Sequence, residues 1–191
     1  MKGVSIFFAT ILSLIVPSLT FRYFDEEELK PCPKITPDSS VKIEMLTGRW
    51  QLSLLVLDAA TEDIEESGAC INGEVTVMNS THMRQVWEMF TPYVENEPTA
   101  TFELLTTSLR PGVWAVHTPL GGILSATVFD SNKNYILVCH CGWHRGAEVH
   151  LWTAGVTRGR LTPKVRMKLS KSLMKAGYHP SETKVITWSM C

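Results

Sequence analysis

The chain has 191 residues, of which 45% are hydrophobic and 19% charged; this suits one globular domain with a sizeable core and excludes a disordered or fibrous protein. A formal net charge of -1 provides no basic footprint for nucleic acid, and no block of like charges marks an interaction tail. The expected partners are small molecules or proteins.

In residues 1–20, Lys2 precedes a mostly apolar run from Val4 to Val16, and Pro17-Ser18-Leu19-Thr20 closes it with small residues at alternate positions. This is the pattern of a secretory signal, too short to span a bilayer, with cleavage expected after Thr20. The expected mature domain is 21–191, secreted to the extracellular space. Phe21 to Ser40 follows, polar and interrupted by Pro31, Pro33 and Pro37; it cannot be a regular element and reads as an N-terminal arm.

From Leu46 the pattern becomes short β-type runs separated by turn residues, at about 47–57, 70–78, 82–90, 98–107, 112–118, 122–129, 134–142 and 147–155. Alternation assigns faces. Met83, Gln85, Trp87 and Met89 share one side of the third run against Arg84 and Glu88, and Phe102 and Leu104 oppose Thr101 and Glu103 in the fourth. The connections are short and rich in turn formers, as in Asn79-Ser80 and Arg110-Pro111-Gly112, so sequence neighbours pair as an antiparallel meander. The period then changes. Thr162-Pro163 opens a helix whose stripe of Val165, Leu169, Leu173 and Met174 runs to Gly177, with Lys164, Arg166, Lys168, Lys171 and Lys175 opposite. That basic side is either a solvated face or a contact for an anionic membrane or protein receptor. Lys184 to Trp188 can add one short strand.

Eight meandering strands and one amphipathic helix imply an all-β fold: an eight-stranded antiparallel up-and-down barrel with one C-terminal α-helix packed outside. Such a barrel encloses room for one small ligand. By alternation Val75, Trp87, Phe102, Leu104, Trp114 and Val116 face inward; as packing residues they could equally be plain core, but their aromatic content exceeds what a filled interior needs.

Secretion makes the five cysteines, Cys32, Cys70, Cys139, Cys141 and Cys191, disulfide candidates, with fifteen ways to choose two bridges and a spare. Cys139, Cys141, His144 and His150, with His140 between, have donor types suited to zinc, but no metal is expected: a disulfide would take a cysteine from the set, and His140 and His144 need not face Cys139. No nucleophile elbow, phosphate loop, Ser-His-Asp order or catalytic carboxylate pair appears, so neither an enzyme nor a cofactor is expected.

Pro31-Cys32-Pro33, Leu46-Thr47-Gly48-Arg49-Trp50, Ser67-Gly68-Ala69-Cys70-Ile71 and Asn132-Lys133-Asn134-Tyr135-Ile136 running to Cys141, followed by helix, strand and Cys191, resemble the lipocalins, and among them apolipoprotein D and the insect bilin-binding proteins. The resemblance covers essentially the whole mature chain. It implies a carrier of a lipid, retinoid, sterol, fatty acid or bilin, Trp152 as the pocket tryptophan of the eighth strand, and Gly48 and Trp50 as the barrel floor. It implies the bridges Cys32–Cys141 and Cys70–Cys191 with Cys139 free; Cys139, two residues from Cys141 on the same strand face, is the alternative partner for Cys32. In the family an arginine packs on the floor indole. Its usual place falls on Val156 here, and Arg158, two residues further, keeps the strand parity. Other readings are a lipocalin with a filled barrel acting through protein contact, and a redox-active thiol protein.

Asn79-Ser80-Thr81 is a glycosylation sequon on an expected hairpin turn. The protein secreted from insect cells should lose mass on deglycosylation with an amidase, Asn79→Gln should abolish that loss, and N-terminal sequencing should begin at Phe21.

Overall fold

The computed structural model describes residues 29–58, 70–90, 98–119, 121–179, 181 and 183–188; the expected signal segment 1–20 and Cys191 lie outside the described residues. Alternating apolar positions require a common interior, and the strands supply it by closing on themselves. They are β1 (Gly48–Asp58), β2 (Cys70–Val77), β3 (His82–Phe90), β4 (Ala100–Arg110), β5 (Val113–His117), β6 (Ile123–Asn132), β7 (Tyr135–His144) and β8 (Ala147–Thr157). Each pairs antiparallel with the next, β8 returns to β1, and Gly48–Gln51 of β1 pair with Asn72–Val75 of β2 to complete the barrel. After α1 (Pro163–Lys175), β9 (Thr183–Thr187) pairs with Leu54–Asp58 of β1 outside the eight-stranded ring. The order matches the expected meander. β4 runs three residues past its expected end because an irregularity between Ser108 and Arg110 keeps it paired with β5.

The apolar run in β1 does not alternate because both of its faces are covered. Trp50 and Leu52 face the interior; a bulge between Leu52 and Leu54 resets the parity, and Leu55 and Leu57 then face inward. Leu54 and Val56 face outward and pack with Tyr135, Leu137, Leu169 and Leu173 beneath α1. Thr162 caps the helix by accepting from the Val165 N–H at 3.3 Å, and Pro163 occupies the first turn, where its missing N–H costs nothing. Leu169 and Leu173 are buried, whereas Met174, expected in the same stripe, is 52% exposed; it stands just off the contact line between helix and barrel. A carboxylate ties this packing down. Asp130 Oδ2 accepts from both Tyr135 Oη (3.0 Å) and Ser172 Oγ. Burial, the Asp130 charge and its hydrogen bond push the Tyr135 phenol up to about 12, so it remains a donor throughout the neutral range.

The N-terminal arm runs along the outside of the barrel. Cys32 N donates to Glu148 O, His150 N donates to Lys30 O, and Asp38 N donates to Val128 O. The Cys32–Cys141 disulfide fixes the arm to β7 across 109 residues, a loop for which the chain-entropy model gives about 4.7 kcal/mol. Cys139 is free and buried, its Sγ 3.7 Å from Cys141 Sγ. Cys70 is also disulfide-bonded; its expected partner, Cys191, is outside the described residues. Beyond Asp38, Val41, Ile43 and Leu46 enter the core and plug one end of the barrel.

That closed end explains Gly48-Arg49-Trp50. Trp50 is buried and donates its Nε1–H to Leu46 O at 2.6 Å. The Arg158 guanidinium lies over its ring, 4.1 Å from the centroid, and donates to Met45 O at 2.9 Å. Gly48 has φ +105, which strains any residue with a side chain, and a Cβ there would crowd Arg158 Nη1 at 3.0 Å. Arg158→Ala removes the cation–π contact and the bond to Met45 together. It should lower unfolding free energy by about 1–2 kcal/mol in urea titrations, with Arg158→Lys losing less.

Candidate ligand-binding cavity

The inward side chains do not fill the barrel uniformly. Trp50, Val75, Met83, Trp114, Val116, Ile136, Val138, Ala154 and Val156 pack into a buried core toward the plugged end. Above it, half-buried Leu52, Leu55, Trp87, Phe102, Leu104, His140 and Trp152 surround a cavity of about 170 Å³. The seven residues expected to line a pocket, Val75, Trp87, Phe102, Leu104, Trp114, Val116 and Trp152, all border it. Alternation also puts Met83 and Gln85 on the face of Trp87, and both border the cavity; it does not single out Leu52, Leu55 and Leu57, which the bulge in β1 hides, or Ile186 and Trp188, which come from β9 and the residue after it. The lining contains no Lys, Arg, Asp or Glu among the described residues.

Trp87 owes its position to a glycine. It pairs across the sheet with Gly73, where a Cβ would come within 2.5 Å of the indole, so the ring lies flat against β2. Its Nε1–H donates to Gln85 Oε1 (3.1 Å), and Gln85 Nε2 donates to Thr106 Oγ1 (2.8 Å). The amide of Gln85 is thereby engaged at both ends.

His140 has a different environment. On β7 it faces the barrel interior, opposite to Cys139 and Cys141, and stacks on Trp152 with ring centroids 5.0 Å apart. This separates it from the donor cluster that the sequence suggested for a metal. The cluster that forms instead is Cys32, Cys139 and Cys141, three sulfurs within 4.8 Å of one another, two of them joined as a disulfide. His150 is buried in a separate polar group outside the barrel, its Nε2 3.1 Å from Thr153 Oγ1, which in turn contacts Tyr178 Oη at 2.5 Å. His140 Nδ1 has no hydrogen-bond partner among the described residues.

No protein-family model matches the chain, and no curated protein does. Solved structures do. A siderocalin, Ex-FABP, described as functioning through dual ligand specificities, aligns over 75% of this chain and 95% of its own at 11% identity, with a TM-score of 0.57. Lobster apocrustacyanin A1 aligns over 86% of this chain and 93% of its own, and apocrustacyanin C2 over 87% and 94%, each at 8% identity with a TM-score of 0.61. The fold is the lipocalin fold. At these identities the likeness concerns architecture alone, and the cavity has to be read from the chain's own residues.

Burial, and secondarily the proximity of His150, lowers the His140 pKa to about 3, so the imidazole is neutral in the native protein near pH 7. Because the folded pKa lies below the unfolded value of about 6.5, the unfolded chain takes up this proton first as pH falls. The associated stability is present above pH 6.5 and is lost progressively toward pH 3, by at most about 1.4 kcal/mol per pH unit. His140→Phe should flatten this part of the stability–pH profile measured by urea unfolding between pH 7 and 4.

Proposed function

We propose that the protein is a secreted, non-enzymatic lipocalin that binds and carries a small hydrophobic ligand inside the barrel. The observation that carries this reading is the cavity: an accessible, aromatic-rich space without a charged wall, above a floor already packed with its own core. Burying about 300 Å² of ligand there contributes about 7 kcal/mol before association costs, enough for useful affinity when the site is preformed. The space is of the order of the engineered ~150 Å³ cavity that takes up benzene. Compact ligands therefore enter directly, while a sterol, retinoid or bilin requires the half-buried Trp87, Phe102 and Leu104 to move.

Export is supported by the N-terminal signal pattern, by the disulfides, which suit an oxidising compartment, and by the exposed β2–β3 turn that carries Asn79. No helix among the described residues is long and apolar enough to cross a membrane. Contact with an anionic membrane or a receptor is favoured by one feature, the exposed Lys164, Arg166, Lys168, Lys171 and Lys175 on a helix lacking acidic residues.

Organic extraction of the protein purified from its natural source, followed by mass spectrometry, should release a stoichiometric apolar molecule. Leu104→Trp, which fills the cavity from its wall, should abolish that retention with the circular dichroism spectrum unchanged. An empty extract together with no uptake of the uncharged apolar fluorophore N-phenyl-1-naphthylamine would sink the carrier reading.

A further inference from the structure

Two cavity-lining side chains carry polar atoms that nothing among the described residues satisfies: His140 Nδ1 and Trp188 Nε1. They belong to one region of the wall, because Trp152 stacks on His140 and packs against the cluster of Leu57, Ile186 and Trp188. Of the other polar side chains in the lining, Gln85 is already bonded at both ends of its amide, and the indole N–H groups of Trp50 and Trp87 donate to Leu46 O and Gln85 Oε1. A buried polar atom without a partner costs free energy, and an indole N–H can be relieved only by an acceptor. A neutral imidazole offers one donor and one acceptor. Turning it by 180° about Cβ–Cγ exchanges Nδ1 with Cδ2 within the plane that stacks on Trp152, so the ring can present either edge to a ligand without disturbing that contact.

The rest of the wall limits what may approach. A carboxylate or ammonium entering the cavity would shed its hydration and meet no opposite charge, since no lining residue among those described is acidic or basic. A pure hydrocarbon would leave both polar atoms as they are.

Resting on the carrier reading, we infer that the cavity selects an uncharged, mainly apolar molecule bearing one hydrogen-bonding oxygen, an alcohol or carbonyl, and that His140 with Trp188 receives that oxygen. Charged amphiphiles of the same chain length, fatty-acid anions among them, are rejected. His140 is then a specificity residue, and the aromatic wall supplies most of the affinity.

The test is displacement of N-phenyl-1-naphthylamine from the full-length secreted protein at pH 8 by octan-1-ol, octanoate and octane. Octanol should compete at least about 30-fold better than octanoate, whose charge the wall cannot compensate. His140→Phe, which keeps an aromatic ring against Trp152, should weaken octanol by about 3–10-fold and leave octane unchanged or tighter, while His140→Gln, which retains donor and acceptor, restores most of the octanol affinity. Equal competition by octanol and octanoate overturns the inference without any variant and leaves the carrier reading standing. So does an octanol affinity that His140→Phe does not alter. If the fluorophore and all three competitors fail to bind, the carrier reading falls and the inference with it.

Discussion

Strand β1 has two edges, and a strand of a closed sheet must find backbone partners along both. β8 takes one edge. The other is divided: β2 holds Gly48–Gln51, and β9 holds Leu54–Asp58. The changeover falls at Ser53, whose carbonyl accepts from Trp188 N and whose hydroxyl bonds Thr157 Oγ1 at 2.6 Å in a fully buried pair. Much of the molecule follows from this division. Beyond Gln51, β1 is no longer paired with β2, and Leu52, Leu55, Leu57 and Ile71 border the cavity along that parting. The bulge that accompanies it turns Leu54 and Val56 outward, which creates the apolar strip that α1 covers.

The sequence made the strands legible because most have one dry face, and period-two alternation reports that directly. It made the helix legible through Thr162-Pro163 and Gly177. It was opaque where two faces are buried at once, as in Leu54-Leu55-Val56-Leu57, since a continuous apolar run does not say which side is the interior. The same limit applies to Met174: spacing placed it in the apolar stripe, but only the crossing of helix and barrel decides which edge of a stripe remains in contact. Among the cysteines, Cys139 and Cys141 share a face of β7, so alternation could not choose between them; the path of the arm chooses, because Cys32 N bonds Glu148 O and holds Cys32 where it reaches Cys141.

The cavity residues divide similarly. The seven identified from alternation and from resemblance all reach the lining, because strand parity fixes direction even when depth is unknown. His140 was seen only as a donor atom type among cysteines and histidines, a grouping by proximity in sequence that the strand's own alternation separates, with sulfurs outside and imidazole inside. Gly73 gave no signal at all, although it is what allows Trp87 to lie flat. Arg158 lies two residues past Val156, where the resemblance to lipocalins placed an arginine, yet it reaches the Trp50 indole from just beyond the end of β8.

Five of the six tryptophans, Trp50, Trp87, Trp114, Trp152 and Trp188, border the cavity or its floor, while Trp143 alone projects into solvent, 64% exposed. The ultraviolet emission of the protein is therefore nearly a measurement of this one compartment. Any bound chromophore that absorbs near the indole emission sits within energy-transfer range of all five at once, and the water-exposed Trp143 adds a red-shifted component from outside the compartment. The arrangement that makes the wall apolar also makes its occupancy optically readable without a label.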